Sequence, residues 1–352
     1  MKVYFVTGGC GFIGSNYIHH LLENNIADTI VNLDKMTYAG NLENLNKYET
    51  DSRYHFVKGD ICHKETIISI LQKYKPDVVV HFAAESHVDR SIDGPTEFIE
   101  TNVVGTLNML YESYTWSNSV AKIEENSFRF IHVSTDEVYG SLGDTGKFLE
   151  STPYDPSSPY SASKAGSDHL ARAWFRTFGF PVLITNCSNN YGPYQFPEKL
   201  IPLMIINALA GKPLPVYGDG LNVRDWLYVR DHCEAIQSVI ENGQLGDTYN
   251  IGGNNEITNI EIVETICNIL DQEIPSDSGQ SYKELITFVP DRPGHDFRYA
   301  IDATKIKKKC GWAPKENFES GIKKTIQWYI GNQTWWKNIQ EKKYRQERLG
   351  II

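Results

Sequence analysis

Two short motifs contain side chains that could carry out acid–base chemistry. The stretch "STDEVYG", residues 134–140, places Asp136 and Glu137 directly after the apolar run "FRFIHV". The stretch "YSASK" places Tyr160 and Lys164 four residues apart. Carboxylates are costly to bury unless they are paired or used, and ligands of open α/β sheets bind where strands end. The first motif therefore predicts a site whose chemistry needs a hydroxyl and two carboxyls.

The Tyr160 and Lys164 pair is predicted to act as a base. On a helix, side chains four residues apart lie on the same face. A tyrosine with a pKa of about 10 is hardly ionised at neutral pH, but a nearby ammonium lowers that pKa. The phenolate could then take a proton from an alcohol while hydride leaves the same carbon, and the Thr135 hydroxyl could hold that alcohol. Without a cofactor site nearby, the same spacing would simply be a solvated helix face.

A glycine-rich turn supplies that cofactor site. "TGGCGFIG" places Gly8, Gly11 and Gly14 between the first predicted strand and the first predicted helix. Glycines at this turn let the backbone approach a pyrophosphate at the helix N-terminus. Asp34, at the end of the second strand, would bind the adenosine ribose and repel a 2′-phosphate, which favours NAD over NADP. The alternative is that the glycines only make tight turns.

Strand-like and helix-like segments alternate over the first half of the chain, from "KVYFVTGG" to "PVLITNCSNNYGP". This alternation predicts an α/β fold with a Rossmann-type, doubly wound parallel sheet. Beyond about Pro193, prolines and glycines become frequent and the alternation is less regular. We therefore predict an NAD-binding domain over residues 1–192 and a smaller mixed α/β substrate domain over residues 193–352, partly interleaved with the first. "SNSVAKIEENS" is predicted to be a surface loop, and the C-terminal end to be a docked helix or a frayed tail.

The composition excludes several classes of protein. The chain has 352 residues and a net charge of -10, without a basic stripe, so neither nucleic acid nor an anionic membrane is an expected partner. Six scattered cysteines without a CxxC pair suggest neither a zinc site nor a disulfide framework, which favours a cytoplasmic location. No signal peptide or membrane-spanning run is expected. His87 and His295 lack the spacing of metal ligands.

Several motifs together carry a family resemblance. The glycine pattern, "YSASK" and "NNYGP" resemble the extended short-chain dehydrogenase/reductase family. "DKMTYAGN", "AAESHVDRSI", "STDEVYG", "SNNYGPYQFPEKLIP", "VRDWLYVRDH" and "PDRPGHDFRYAID" narrow the resemblance to the dTDP-glucose 4,6-dehydratase family over nearly the whole chain. It implies an NAD-dependent lyase that oxidises C4 of the sugar, eliminates water across C5 and C6, and returns the hydride to C6. By similarity, Glu137 is the C5 base and Asp136 the acid for the C6 hydroxyl, so their protonation states must differ.

The resemblance also implies binding residues, all named here by their positions in this chain. The positions expected to contact NAD are Gly8, Gly11, Phe12, Ile13, Gly14, Asp34, Lys35, Met36, Thr37, Asp60, Ile61, Phe82, Ala83, Ala84, Glu85, Ser86, Thr101, Tyr160, Lys164 and Asn190. The positions expected to hold the sugar nucleotide are Ser86, Thr135, Asn189, Lys199, Leu200, Pro215, Val216, Tyr217, Arg224, Asn259, Arg292, Pro293, Gly294 and His295. Arginines suit a pyrophosphate because the guanidinium fork matches phosphate oxygens, and "PVY" offers a wall for the base.

Three other functions stay open at this stage. A UDP-glucose 4,6-dehydratase would need the same catalytic groups and differ only in base recognition. A nucleotide-sugar 4-epimerase would use Tyr160 and Lys164 but would not need Asp136 and Glu137. A non-catalytic NAD-binding regulator is a different class, and the intact set of five catalytic residues, Thr135 included, argues against it.

The sequence also predicts a homodimer. The helices "EFIETNVVGTLNMLYESY" and "SASKAGSDHLARAWFRTFG" carry more apolar and aromatic residues than one core-facing stripe requires. The family that the chain resembles pairs these helices in a four-helix, two-fold interface. The alternative is that both helices are covered by the second domain of the same chain.

Overall fold

A computed structural model describes residues 1–119, 128–276, 279–291 and 295–342. The first half of the chain alternates strands and helices, in the order β1 (Val3–Thr7), α1 (Phe12–Glu23), β2 (Thr29–Asp34), a 3-10 helix (Leu42–Tyr48), β3 (Tyr54–Lys58), α2 (Lys64–Tyr74), β4 (Val78–His81), α3 (Val88–Asp93), α4 (Pro95–Phe98), a π-helix (Ile99–Gly105), α5 (Thr106–Ser119), β5 (Arg129–Thr135), a 3-10 helix (Asp136–Tyr139), α6 (Pro159–Phe178), β6 (Val182–Cys187) and β7 (Asn189–Tyr191).

The second half is less regular. Its elements are α7 (Leu200–Leu209), β8 (Leu214–Tyr217), β9 (Val223–Tyr228), α8 (Val229–Asn242), β10 (Thr248–Ile251), β11 (Glu256–Thr258), α9 (Asn259–Glu273), a 3-10 helix (Tyr282–Leu285), β12 (Ile286–Val289), α10 (Thr304–Cys310), α11 (Phe318–Gly331) and α12 (Gln333–Lys342). Among the described residues, no helix combines the length and the hydrophobicity that a membrane span requires.

Seven parallel strands form the central sheet, in the order β10-β6-β5-β4-β1-β2-β3. Strands such as β4 are buried along their whole length, as expected where helices cover both faces of a parallel sheet. The Rossmann-type fold predicted from the sequence is confirmed. The chain moves outward from β1 to β3 and then returns to β4 on the other side of β1, so a crevice opens at the carboxyl ends of β1 and β4.

Helices pack on both faces of this sheet. One apolar core includes Tyr17, Leu21 and Ile236 from α1 and α8, and the other includes Ile67 and Met109 from α2 and α5. A third core, formed mainly by α7, α9, α11 and α12 with β8 and β9, belongs to a smaller lobe. Since β10 joins the large sheet and α8 packs against it, although both come from beyond residue 193, the two lobes interleave. The domain boundary at residues 192 and 193 stays a prediction.

The structure differs from the sequence expectations in local detail. The helix predicted around α5 contains the π-helical segment and continues to Ser119, so the first residues of "SNSVAKIEENS" are helical and the rest lies outside the described residues. "PVLITNCSNNYGP" forms two strands, because β7 leaves the central sheet and pairs with β9. The C-terminal end is docked as far as α12, where Trp335 is buried and its indole N–H donates to Asn44 Oδ1 at 2.8 Å.

Candidate active site

The glycine turn between β1 and α1 is shaped by close backbone contacts. Gly8 has φ of +70°, and a Cβ at Gly14 would lie 2.3 Å from the Gly8 carbonyl oxygen. No side chain caps α1 at Gly11, so the first N–H groups of the helix can bind an anion. The residues of this turn therefore fit the pyrophosphate of a dinucleotide.

Asp34 lies at the end of β2, next to the glycine turn. Its Oδ2 accepts a hydrogen bond from the Cys10 backbone N–H at 2.9 Å, and its Oδ1 accepts one from the Met36 N–H at 2.8 Å. Met36 has a left-handed backbone (φ 62°) and is not among the residues that line the cofactor cavity described below, so its contact with NAD stays a prediction. Lys35 forms an ion pair with Asp60, with 2.9 Å between Lys35 Nζ and Asp60 Oδ2.

Two adjoining cavities follow the carboxyl ends of the strands. The first, about 320 Å³, is lined by every predicted NAD-contacting residue except Met36 and by all five predicted catalytic residues. The second, about 460 Å³, extends into the smaller lobe. Ser86, Glu137, Asn189, Asn190 and Lys199 line both cavities. A ligand in the second cavity would therefore meet a cofactor in the first beside the Glu137 carboxylate.

The turn after β5 holds the hydroxyl and the two carboxyls together. Thr135 caps the 3-10 helix that follows, its Oγ1 accepting a hydrogen bond from the Glu137 N–H at 3.3 Å. The same hydroxyl lies 3.4 Å from Asp136 Oδ1. Gly140 ends the turn with φ of +87°. This compact geometry places three functional side chains at the end of one strand.

Asp136 is suited to be a proton donor. Burial, the adjacent Glu137 and the carboxylate of Asp225 raise the pKa of its carboxyl well above the usual value, while Arg224 opposes the shift. Within the described part of the chain, the Asp136 Oδ2 atom has no hydrogen-bond partner, although it is buried. A neutral carboxyl with one free oxygen can donate a proton to a ligand hydroxyl in the cavity.

Tyr160 and Lys164 project from α6, whose start is fixed by Pro159 and by a capping box between Ser158 and Ser161. Burial and the charge of Glu137 raise the pKa of Tyr160 well above its usual value, whereas the Thr135 hydroxyl lowers it. This direction is opposite to the lowering expected from Lys164. The Lys164 ammonium donates to the Val133 carbonyl oxygen at 2.8 Å. Burial of the Tyr160 phenol outweighs the effect of that ammonium on the phenol pKa.

The smaller lobe forms the far end of the second cavity. Arg224 lines it, with its guanidinium donating to the carbonyls of Val223, Asp296 and Phe297 at 2.8–3.2 Å and lying over the Tyr299 ring. Of the predicted sugar-nucleotide positions, the other side chains that line this cavity are Ser86, Asn189, Lys199, Leu200, Pro215, Tyr217, Asn259 and His295.

Two predicted groups in this lobe do not reach the cavity or cannot be placed. Val216 is only 1 % exposed and packs in the core, because side chains alternate along β8 and Pro215 and Tyr217 face the other way. Arg292, Pro293 and Gly294 lie outside the described residues.

Thr135, which was also predicted to hold the sugar, lines the first cavity, on the cofactor side. Among the described residues, no three His, Cys, Asp or Glu side chains are grouped to hold a metal ion.

Polar residues that were not predicted from the sequence lie where the two cavities join. Gln195 and Glu198 line both cavities, and burial raises the pKa of Glu198. Arg90 lies 3.4 Å from the Glu198 carboxylate and 3.8 Å from the centre of the Tyr38 ring. The position of Glu198 inside "SNNYGPYQFPEKLIP", a motif that carried the family resemblance, was the available signal.

The parallel sheet, the glycine turn and the Tyr160–Lys164 pair define an extended short-chain dehydrogenase/reductase. Residues 5–325 match the family model described as GDP-mannose 4,6 dehydratase. The chain is 56 % identical to a dTDP-glucose 4,6-dehydratase of Neisseria meningitidis, over 99 % of both chains.

The fold of the chain is similar to that of two solved dTDP-glucose 4,6-dehydratases with NAD. The enzyme from Bacillus anthracis has 47 % identity and a TM-score of 0.86, over 96 % of this chain and 100 % of that one. The enzyme from Streptomyces venezuelae has 45 % identity and a TM-score of 0.88, over the same shares. The chain therefore belongs to the dTDP-glucose 4,6-dehydratase family, and the resemblance predicted from the motifs is confirmed.

Proposed function

We propose that this protein converts dTDP-glucose to dTDP-4-keto-6-deoxyglucose with the help of NAD. The observation that carries the proposal is the turn of Thr135, Asp136 and Glu137, which lies beside Tyr160 on the wall of the cofactor cavity. An epimerase would need Tyr160 but neither carboxyl. NAD, when bound, supplies a reversible acceptor and donor of hydride. The uncapped start of α1 would hold its pyrophosphate and Asp34 its adenosine ribose.

In the oxidation step, Tyr160 takes the proton of the C4 hydroxyl, which the Thr135 hydroxyl holds in place. The Lys164 ammonium stabilises the tyrosinate that must exist for this transfer. Because burial and Glu137 disfavour that anion, a nearby positive charge is essential for the step. Oxidation leaves a C4 ketone, which acidifies the C5 proton of the sugar.

In the elimination step, Glu137 takes the C5 proton and Asp136 gives a proton to the departing C6 hydroxyl. The positions of the two carboxyls in the structure support these roles. Asp136 is buried with a raised pKa, which keeps it protonated, whereas Glu137 lines both cavities and can reach a sugar that spans them. The carboxyls are adjacent, so ionisation of Glu137 itself helps to keep Asp136 neutral.

The nucleotide is proposed to occupy the second cavity. Arg224 would bind the pyrophosphate, and Pro215 and Tyr217 would contact the base. The dehydratase names of the relatives, rather than any single contact, support dTDP over UDP.

We also propose a cytoplasmic location. The six cysteines are free thiols, which supports a reducing compartment.

We also propose that the enzyme is a homodimer. Ile99, Val104 and Tyr111 are 43–49 % exposed along the π-helical segment and α5, and Phe178 is exposed at the end of α6. These helices pack against each other in this chain, so their exposed apolar side chains form one candidate face for a second copy.

The proposed function is tested by offering purified protein dTDP-glucose and UDP-glucose separately, without added NAD. We expect the 4-keto-6-deoxy product from dTDP-glucose, measured by mass spectrometry. A second reaction with added NAD should show no net consumption of the cofactor. Preferential conversion of UDP-glucose would contradict the base assignment. Formation of the C4 epimer without loss of water would contradict the dehydratase assignment.

A further inference from the structure

A buried carboxylate lies one helical turn beyond Lys164. Asp168 is fully buried, with its Oδ1 3.0 Å from His132 Nε2 and its Oδ2 accepting a hydrogen bond from the Tyr154 hydroxyl at 2.8 Å. Arg172 donates in turn to the Tyr154 hydroxyl at 2.6 Å. The proposed reaction gives none of these side chains a role. These side chains are those of His132, Tyr154, Asp168 and Arg172.

Lys164 needs a counter-charge to stay protonated in this place. It is 5 % exposed, and burial lowers its pKa. On its own helix, Tyr160 lies one turn before Lys164 and Asp168 lies one turn after it. A deprotonated Lys164 could not stabilise the Tyr160 anion, so the source of the counter-charge decides whether the pair works as a base.

Among the described residues, the ionisable side chains that interact with Lys164 from the neighbouring strands are neutral. His81 on β4 and His132 on β5 are buried, and burial lowers the pKa of both imidazoles, which keeps them neutral. Cys187 on β6 is buried as well, and its thiol pKa is raised to about 12. The raised pKa of Asp136 keeps that carboxyl neutral too.

Asp168, in contrast, is held as a carboxylate. Burial opposes its ionisation, but the hydrogen bond with His132 and the positive charge of Lys164 outweigh burial, so its pKa lies below the usual value. Tyr154 contributes a further donor, backed by the Arg172 guanidinium. Asp168 is thus the ionised group of opposite charge that acts on Lys164, whereas the charge of Glu137 acts on Tyr160.

We propose that Asp168 is a positioning residue that keeps Lys164 an ammonium and thereby lets Tyr160 act as the base of the oxidation step. The inference rests on the proposed function, since it assigns Asp168 to the first half of that reaction. Tyr160, Lys164 and Asp168 follow one another at intervals of four residues on one face of α6. In this proposal, Asp168 sets the charge of Lys164, and Lys164 in turn stabilises the Tyr160 anion.

The test measures the pH dependence of the first hydride transfer. In the Glu137→Gln background, which should stop the reaction after oxidation, the rate of nicotinamide reduction on mixing with dTDP-glucose is followed by stopped flow. Adding Asp168→Asn should move the midpoint of the rise with pH upward by one unit or more and lower the rate at pH 7 by about tenfold or more. Retention of NAD and the concentration dependence on substrate should stay unchanged.

Asp231→Asn in the same background is the matched control. Asp231 is also buried and accepts two backbone hydrogen bonds, from Lys315 and Glu316, but lies outside both cavities. Its loss should lower stability without moving the pH midpoint. An Asp168→Asn midpoint equal to the control's would overturn the inference. Absence of nicotinamide reduction in the Glu137→Gln background itself would instead count against the proposed function.

A stability cycle covers the case in which Asp168→Asn folds poorly. If Asp168 is the counter-charge of Lys164, Asp168→Asn leaves an unpaired buried cation, which Lys164→Met removes. The double variant should therefore melt at a higher temperature than Asp168→Asn alone. Equal and additive losses of melting temperature from the two substitutions would overturn the pairing.

Discussion

The Oδ2 atom of Asp34 accepts a hydrogen bond from the backbone N–H of Cys10 at 2.9 Å, which ties the end of β2 to the glycine turn. The carboxylate that is proposed to select the ribose is therefore also part of the loop that is proposed to bind the pyrophosphate. The position of the Asp34 charge follows directly from the fold of that loop.

Replacing Asp34 by Asn should relax the choice of cofactor. The amide keeps an oxygen for the Cys10 N–H but removes the charge that would repel a 2′-phosphate. We expect the ratio of bound NADP to bound NAD to rise by about tenfold, the effect of roughly 1.4 kcal/mol. Nucleotide released from protein equilibrated with both cofactors gives the ratio by chromatography. Asp51→Asn, a surface control in an Arg53 ion pair, should leave it unchanged, and an unchanged ratio in Asp34→Asn would contradict the assignment.

Gly14→Ala should weaken cofactor retention. The new methyl group would lie 2.3 Å from the Gly8 carbonyl oxygen and 2.8 Å from Gly9 Cα, so the turn must shift away from the start of α1. We expect the purified variant to carry much less nucleotide than the parent, measured by absorbance after denaturation. Gly331→Ala has open space around it and is the control. Full nucleotide content in Gly14→Ala would show that the turn tolerates the shift.

Much of this site could be predicted from the sequence because its motifs are local. The glycine turn, the "STDEVYG" turn and the four-residue spacing in "YSASK" depend on neighbours along the chain. The direction of the Tyr160 pKa could not be predicted, because it depends on burial and on Glu137, which the fold brings next to the phenol. Asp168 was not recognised for the same reason, since a carboxylate one turn after a lysine is usually a solvated ion pair.

The smaller lobe was harder to predict than the central sheet. Alternation of strands and helices indicates a parallel sheet, but no such period describes residues beyond Pro193. Pairing of β7 with β9 removes it from the central sheet, and the alternation along β8 buries Val216 rather than presenting it to the base. Both features depend on contacts between segments that are distant in sequence.

The raised pKa of Asp136 predicts a pH-dependent stability difference. The folded protein holds this carboxyl protonated where the unfolded chain has ionised it, so its contribution to stability is lost as pH rises above the unfolded value of about 3.9. Asp136→Asn does not titrate. The parent should lose up to about 1.4 kcal/mol of unfolding free energy per pH unit above that value, so the melting temperature of Asp136→Asn relative to the parent should increase as pH rises. A difference in melting temperature that stays flat with pH for Asp136→Asn would contradict the raised pKa.

Val104→Glu should disrupt the proposed dimer. Val104 is 43 % exposed on the candidate face, and a charge there would be buried without a partner in a two-fold interface. Light scattering at micromolar concentration should give the dimer mass for the parent and the monomer mass for the variant. Leu221→Glu, at a leucine of the smaller lobe that is 50 % exposed, should stay dimeric. A parent that is already a monomer would refute the dimer.

The central claim is that Tyr160 takes the C4 hydroxyl proton while the sugar is oxidised, and that Glu137 then takes the C5 proton. The most direct measurement compares Tyr160→Phe and Glu137→Gln by nicotinamide absorbance after each is mixed with dTDP-glucose. Tyr160→Phe should leave the bound cofactor oxidised. Glu137→Gln should accumulate reduced cofactor and form product about 10²–10⁴-fold more slowly than the parent, the usual contribution of a general base. Near-normal formation of the 4-keto-6-deoxy sugar by Glu137→Gln, with no reduced cofactor accumulating, would contradict the role given to that carboxylate.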